Sequence, residues 1–135
     1  VVSRSPDFSS TWRFFDQPLQ RWLLAPEPVD QGFDRWFPLA PTWPERLQAL
    51  GAAGIQRLVL LGGAQLSADL LQADCVDALQ LTLVPQLLGG RFSWLPCTNA
   101  PLPAALAQPG AWQSEGAEDL GDGEWLVRYR RIRSG

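Results

Sequence analysis

The stretch LVLLGGAQLSADLL, residues 58–71, constrains the fold more than any other segment. Four aliphatic residues in a row end at Gly62-Gly63, and soon afterwards leucines recur at helical spacing. A short uninterrupted apolar run is the pattern of a strand covered on both faces, as in parallel sheets. Leu66 and Leu70, four positions apart, share one side of the helix that follows. A strand leading straight into a helix is a building unit of α/β sheets. The two glycines remove Cβ atoms where backbone would approach a ligand closely. The amides of Ala64, Gln65 and Leu66 open the helix without intrahelical acceptors, and the macrodipole adds partial positive charge there. A pyrophosphate suits such a terminus. Neither GxGxxG nor GxxxxGK is present, so the segment is not one of the common nucleotide-binding fingerprints. On its own, Gly-Gly after a strand more often builds only a tight turn.

The rest of the chain fits the same layout. Residues 1–3 read as the end of a strand, and 5–20, rich in Ser, Pro and aromatics, as loop. RWLLA, residues 21–25, is a short buried strand stopped by Pro26 and Pro28. Residues 27–41 read as an irregular connection. TWPERLQALGAAG, residues 42–54, is the clearest helix. Thr42 and Glu45 have capping-box spacing, Pro44 lies in the tolerated first turn, and Trp43, Leu47 and Leu50 share a face. Gly54 suits a left-handed stop. IQRLVLL, residues 55–61, reads as the next strand. In DALQLTLVP, residues 77–85, Leu79, Leu81 and Leu83 alternate with Gln80 and Thr82. Residues 86–112 form a long excursion. GDG at 121–123 is a turn signal, so 112–133 reads as a terminal antiparallel hairpin. In its second strand Trp125, Val127 and Tyr129 face one way and Arg128 and Arg130 the other. The predicted class is α/β with a mixed sheet flanked by helices, in one domain over 1–135.

Composition removes several functions. The 135 residues carry a net charge of −3, which does not favour nucleic acid or an anionic membrane. There are no histidines, so His triads, His metal clusters and imidazole relays are excluded within this chain. Cys75 and Cys97 are too few for a zinc site and match no redox spacing, so no metal is expected and the reading is a reducing, cytoplasmic compartment. No apolar run approaches the roughly 20 residues of a membrane span. Arginines beside aromatics, as in WRFF at 12–15 and RWF at 35–37, read as packing with Arg stems over rings, not as a nucleic-acid surface. The RYRRIR cluster at 128–133 reads as a solvated strand face. Asp69 and Asp77 read as helix caps, Asp119 and Asp122 as turn residues.

Residues 54–90, GIQRLVLLGGAQLSADLLQADCVDALQLTLVPQLLGG, resemble the C-terminal reductase domain of the bacterial riboflavin-biosynthesis deaminase/reductase, which has the dihydrofolate reductase fold. The pattern is Gly-Ile, aliphatic strand, Gly-Gly, helix, Val-Asp-x-Leu, aliphatic strand, Pro, Leu-Leu-Gly-Gly. VVSRS, RWLLA and GDGEWLVRYRR are similar to other parts of that domain. The resemblance implies a mostly parallel mixed sheet with a C-terminal antiparallel hairpin, in a chain that lacks the N-terminal part of the family domain. It implies an NADPH-dependent pyrimidine reductase acting on a ribosylamino-pyrimidine phosphate, working as a homodimer. By position, Gly62 and Gly63 with the amides of Ala64, Gln65 and Leu66 would hold the cofactor pyrophosphate. Ser3, Arg4 and Ser5 would hold the adenosine phosphate, for which a guanidinium and hydroxyls are suited. Leu24 to Pro26 would flank the adenine.

One position departs from the family. The residue before Gly-Gly, commonly Glu and facing the substrate, is Leu61 here. No catalytic acid or base can be named from the residues. The alternative expectation is a degenerate relative, a reductase fold kept as a nucleotide-binding or dimeric scaffold.

Overall fold

A computed structural model describes residues 1–5, 7–29, 32–61, 63–87, 95 and 102–133. By contact, the chain divides into two compact units, Val1–Leu58 and Val59–Gly135.

The first unit is built on a parallel pair, β1 (Trp22–Ala25) and β2 (Arg35–Pro38), with Leu23 opposite Trp36 and Leu24 opposite Phe37. Residues 1–3 run parallel along the other side of β1. Leu24 N–H donates to Val1 O at 2.9 Å and Ser3 N–H to Leu24 O at 3.0 Å. With neighbours on both edges, β1 becomes the unit's core, and Leu23 and Ala25 are fully buried. The β2 strand corrects the sequence reading, which left 35–38 inside a connection. Arg35 and Trp36 are exposed, so β2 shows no buried alternation to read. It is held instead by its backbone, by Trp36 Nε1 donating to Ala25 O at 3.0 Å and by Phe37 packing on Trp22 at 5.4 Å. Arginines lie over rings, through the guanidinium and not the stem, Arg35 over Trp22 at 4.9 Å and Arg46 over Trp43 at 4.7 Å.

Helix α1 (Trp43–Ala52) starts where the capping box placed it. Glu45 N–H donates to Thr42 Oγ1 at 3.4 Å, and Glu45 Oε2 accepts from the Thr42 N–H at 3.0 Å and its hydroxyl at 2.8 Å. These hydrogen bonds from Thr42 hold the Glu45 carboxyl below the usual carboxylate range. The helix ends with Ile55 N–H donating back to Leu50 O at 3.0 Å and Gly54 in the left-handed region.

Residues 55–61, predicted as a strand, are not one here. A strand exists by pairing, and the run makes no ladder among the described residues. Ile55 is half-buried and the rest of the run is exposed, Val59 at 76% and Leu61 at 95%.

The second unit opens with helix α2 (Ala64–Gln72), which buries Ala68, Leu70 and Leu71. An antiparallel sheet follows in the order β3-β5-β4, from β3 (Ala78–Leu83), β4 (Trp112–Gly121) and β5 (Glu124–Arg131). The short helix α3 (Ala104–Ala107) lies within the predicted excursion and buries Leu106. The predicted hairpin is present. Asp122 and Gly123 form its two-residue loop with φ of 52° and 81°, the double positive that a type I′ turn needs. Alternation sorts the two faces as read. Leu79, Leu81 and Leu83 sit opposite Tyr129, Val127 and Trp125. On the other face Arg128 bonds Gln80 and Glu118, and Arg130 pairs with Glu115.

Replacing Leu23 by Ala empties the centre of the first unit and is expected to cost about 2–5 kcal/mol. Urea unfolding followed by far-UV circular dichroism checks this; a loss under about 1 kcal/mol would show that β1 is not the core it looks to be.

Candidate functional site

The start of α2 is the strongest candidate in the second unit. Gly63 is the N-cap, with φ of 90° and ψ of 91°, a conformation that any residue with a Cβ adopts only under strain. It has no capping side chain, and the first intrahelical bond is Ser67 N–H to Gly63 O at 2.9 Å. The amides of Ala64, Gln65 and Leu66 therefore precede the helical ladder. Gly63, Ala64 and Gln65 are exposed and Leu66 is half-buried. A Cβ built on Gly63 would meet only Leu66 Cβ at 3.7 Å, so its demand for glycine comes from dihedral angle and not from crowding. An uncapped, exposed, positively polarised terminus fits a phosphate group. Gln65 is held by its own helix, donating from Nε2 to Asp69 Oδ1 at 2.9 Å. Asp69, expected as a cap, lies inside the helix instead. Gly62 lies outside the described residues, as do Leu88 to Gly90 and Cys97.

The far end of α2 is clamped. Asp74 adopts φ of 48° after the helix, and its carboxylate takes Arg131 in two parallel bonds, Nε to Oδ1 at 2.9 Å and Nη2 to Oδ2 at 3.1 Å. Arg133 Nη1 bonds Asp77 Oδ1 at 2.7 Å, and its Nη2 bonds Asp74 O at 2.8 Å. The Arg131 hydrogen bonds hold the Asp74 carboxyl below its usual range, whereas burial pushes the Cys75 thiol up. Asp77 is thus an ion-pair acceptor and not a helix cap. Asp119, expected as a turn residue, instead lies in β4 opposite Trp125, at the irregularity just before the loop, and its Oδ1 accepts from Gly121 N–H at 2.9 Å.

In the first unit, Ser3 and Ser5 form a local turn around Arg4. Ser3 Oγ accepts from Ser5 N–H at 3.2 Å and bonds Ser5 O. The Ser3 hydroxyl therefore builds the turn, leaving Arg4 and Ser5 as its exposed residues. Leu24 and Ala25 are core and cannot face a ligand, so of the predicted adenine flank only Pro26 is exposed. Leu61 stands almost entirely in water.

Arg131 was missed as a structural residue. Its signal was available, because parity along β5 places it on the apolar face with Tyr129 and Val127, not among the solvated arginines. Among the described residues no group of His, Cys, Asp or Glu is placed to hold a metal, and no helix is long and apolar enough to cross a membrane.

Comparison with known proteins matches residues 1–121 to the RibD C-terminal domain. The riboflavin biosynthesis protein RibD of Haemophilus influenzae is 34% identical over 107 residues, covering 75% of this chain and 28% of that protein. Two solved structures of Acinetobacter baumannii RibD, form 1 and form 2, superimpose with TM-scores of 0.76 and 0.75 at 21% and 22% identity. They cover 98% and 97% of this chain and 36% of their own. The chain therefore spans about a third or less of these relatives, and the structural likeness carries the fold.

Replacing Gly63 by Ala is expected to cost about 1–3 kcal/mol through its dihedral angle alone. For Asp74, a carboxyl with a depressed folded pKa contributes stability that is present above about pH 4 and fades as the pH falls through the folded value. Asp74→Asn should therefore flatten the acid limb of a stability–pH curve, the effect growing as the pH falls below the ordinary carboxylate range. An unchanged limb would show that the clamp does not depend on the ionised carboxylate.

Proposed function

The chain belongs to the RibD C-terminal domain family, and on that premise we propose that it is the NADPH-dependent pyrimidine reductase component of riboflavin biosynthesis, acting on a ribosylamino-pyrimidine phosphate in the cytoplasm. The observation that supports this reading is the uncapped start of α2. Gly63 and the amides of Ala64, Gln65 and Leu66 would take the cofactor pyrophosphate, joined in sequence by Gly62. Exposed Arg4, presented by the Ser3–Ser5 turn, would take the adenosine phosphate through its guanidinium. Each assignment rests on the geometry of its own unit. When bound, the cofactor supplies a hydride. The chain's own residues bind and orient it, with donors fixed in place before it arrives.

Leu61 supports a second reading. A leucine this exposed immediately before the anion-binding glycines offers substrate no hydrogen bond, which suits a degenerate relative that binds nucleotide without turnover. Turnover of NADPH with the pyrimidine substrate would exclude it.

We further propose a homodimer through the apolar face of the C-terminal sheet. Leu83 is 54% and Trp125 46% exposed at one end of that face, more than a satisfied sheet surface leaves open. Light scattering coupled to gel filtration should give a dimer, and Trp125→Arg a monomer; a wild-type monomer would remove the assignment.

Titrating the protein's tryptophan fluorescence with NADPH and then NADH tests the cofactor reading. Saturable quenching with a preference for NADPH is expected. Arg4→Ala should remove about 1.5–3 kcal/mol of that preference, the worth of a charge-assisted hydrogen bond, and leave NADH affinity unchanged. An equal loss for both cofactors would move Arg4 away from the adenosine phosphate.

A further inference from the structure

Arg131 is 8% exposed and is the one buried charged side chain among the described residues. A charge this deep is costly unless every donor is matched, and here each guanidinium nitrogen is engaged. Nε and Nη2 hold both oxygens of Asp74, and Nη1 donates to Ala111 O at 3.0 Å and Ile132 O at 2.5 Å. The Arg131 backbone is tied to the same region, its N–H donating to Asp77 O at 2.8 Å. One residue at the end of β5 thus joins the sheet, the 111–112 corner and the turn that leaves α2.

That turn is where α2 is held. At the helix start, Gly63 has no capping side chain, and the residues leading into it, Val59 and Leu61, lie in water. Among the described residues, the buried Ala68, Leu70 and Leu71 and the clamped C-terminal turn hold α2 in place. A nine-residue helix is a rod about 13 Å long, so a shift at one end is carried to the other. The fork matters as much as the charge. Two parallel bonds fix orientation, whereas a single ammonium would permit rotation about one contact.

We infer that Arg131 is a positioning residue for the anion site at the opposite end of α2. Through its two-point grip on Asp74 it fixes the helix and hence the aim of the Ala64, Gln65 and Leu66 amides. The inference rests on the cofactor reading for its ligand, but not for the mechanical coupling.

The test uses the full chain and three variants, all studied well below their unfolding temperatures. Arg131→Lys keeps the charge and loses the fork. Asp74→Asn keeps a residue tolerant of the left-handed region and loses the ion pair, and serves if Arg131→Lys fails to fold. Leu106→Ala is the control, since it weakens the same unit's core while keeping every hydrogen-bond partner of Arg131 and Asp74 and the Leu106 carbonyl that holds Trp112. Amide hydrogen exchange at Ala64 to Leu66 should speed up in the two clamp variants and not in Leu106→Ala. NADPH dissociation constants should rise on the order of tenfold in the clamp variants, while Leu106→Ala binds as wild type. Unchanged exchange at Ala64 to Leu66 in both clamp variants overturns the inference. So does an equal effect in Leu106→Ala, which would reduce Arg131 to general stability. A wild-type chain that binds no NADPH but shows the exchange difference overturns the cofactor reading and leaves the coupling standing.

Discussion

The second unit is organised around one desolvated guanidinium. A buried arginine cannot be neutralised by giving up its proton, so the structure must surround it with acceptors or not form at all. Asp74 supplies two, and it can do so only because the chain turns through a left-handed conformation just after α2. Ala111 and Ile132 supply two more from backbone carbonyls, that of Ala111 also accepting the Ile132 N–H at 2.9 Å. The requirements of a single side chain thus bring three segments distant in sequence to one point. Removing a partner would leave a charge stranded, which is why such a contact specifies geometry even where its net contribution to stability is small.

Local chemistry, including the terminal hairpin, was legible in the sequence; pairing between segments distant in the chain was not. The α1 start followed from Thr42 and Glu45, because a capping box is closed within four residues. The hairpin loop followed from Asp122-Gly123, whose two positive φ angles few other pairs accept. By contrast, residues 55–61 have every intrinsic mark of a buried strand and are not one, because pairing requires a second segment that composition cannot supply. The β2 strand is the reverse case. RWFP ends in proline and exposes most of its side chains, so nothing local announces it, yet the backbone of β1 and the indole of Trp36 hold it in register.

The same division runs through the candidate site. Gly63 was readable because a positive φ at a helix cap leaves few alternatives to glycine. Arg4 was readable as an exposed cation, but the role of Ser3 was not. Its hydroxyl is spent on the turn, a fact set by where Ser5 N–H happens to point. Leu24 and Ala25 were misplaced beside a ligand because a short apolar run does not reveal how deep it lies. Only the strands on both sides of β1 decide that.

Charge places a last constraint on the proposed cofactor site. The chain is acidic overall, with a net charge of −3, so its long-range field repels a ligand carrying several phosphates. Nor can the arginine-rich tail compensate. Arg128, Arg130, Arg131 and Arg133 each already hold a carboxylate, from Glu118, Glu115, Asp74 and Asp77 respectively. Attraction must therefore come from short-range donors, the α2 amides above all. Such donors act only at contact and only along their bond directions. A site of that kind gains little from steering and much from orientation. A helix that is anchored firmly at its far end therefore matters more here than it would in a protein with a broad basic cleft.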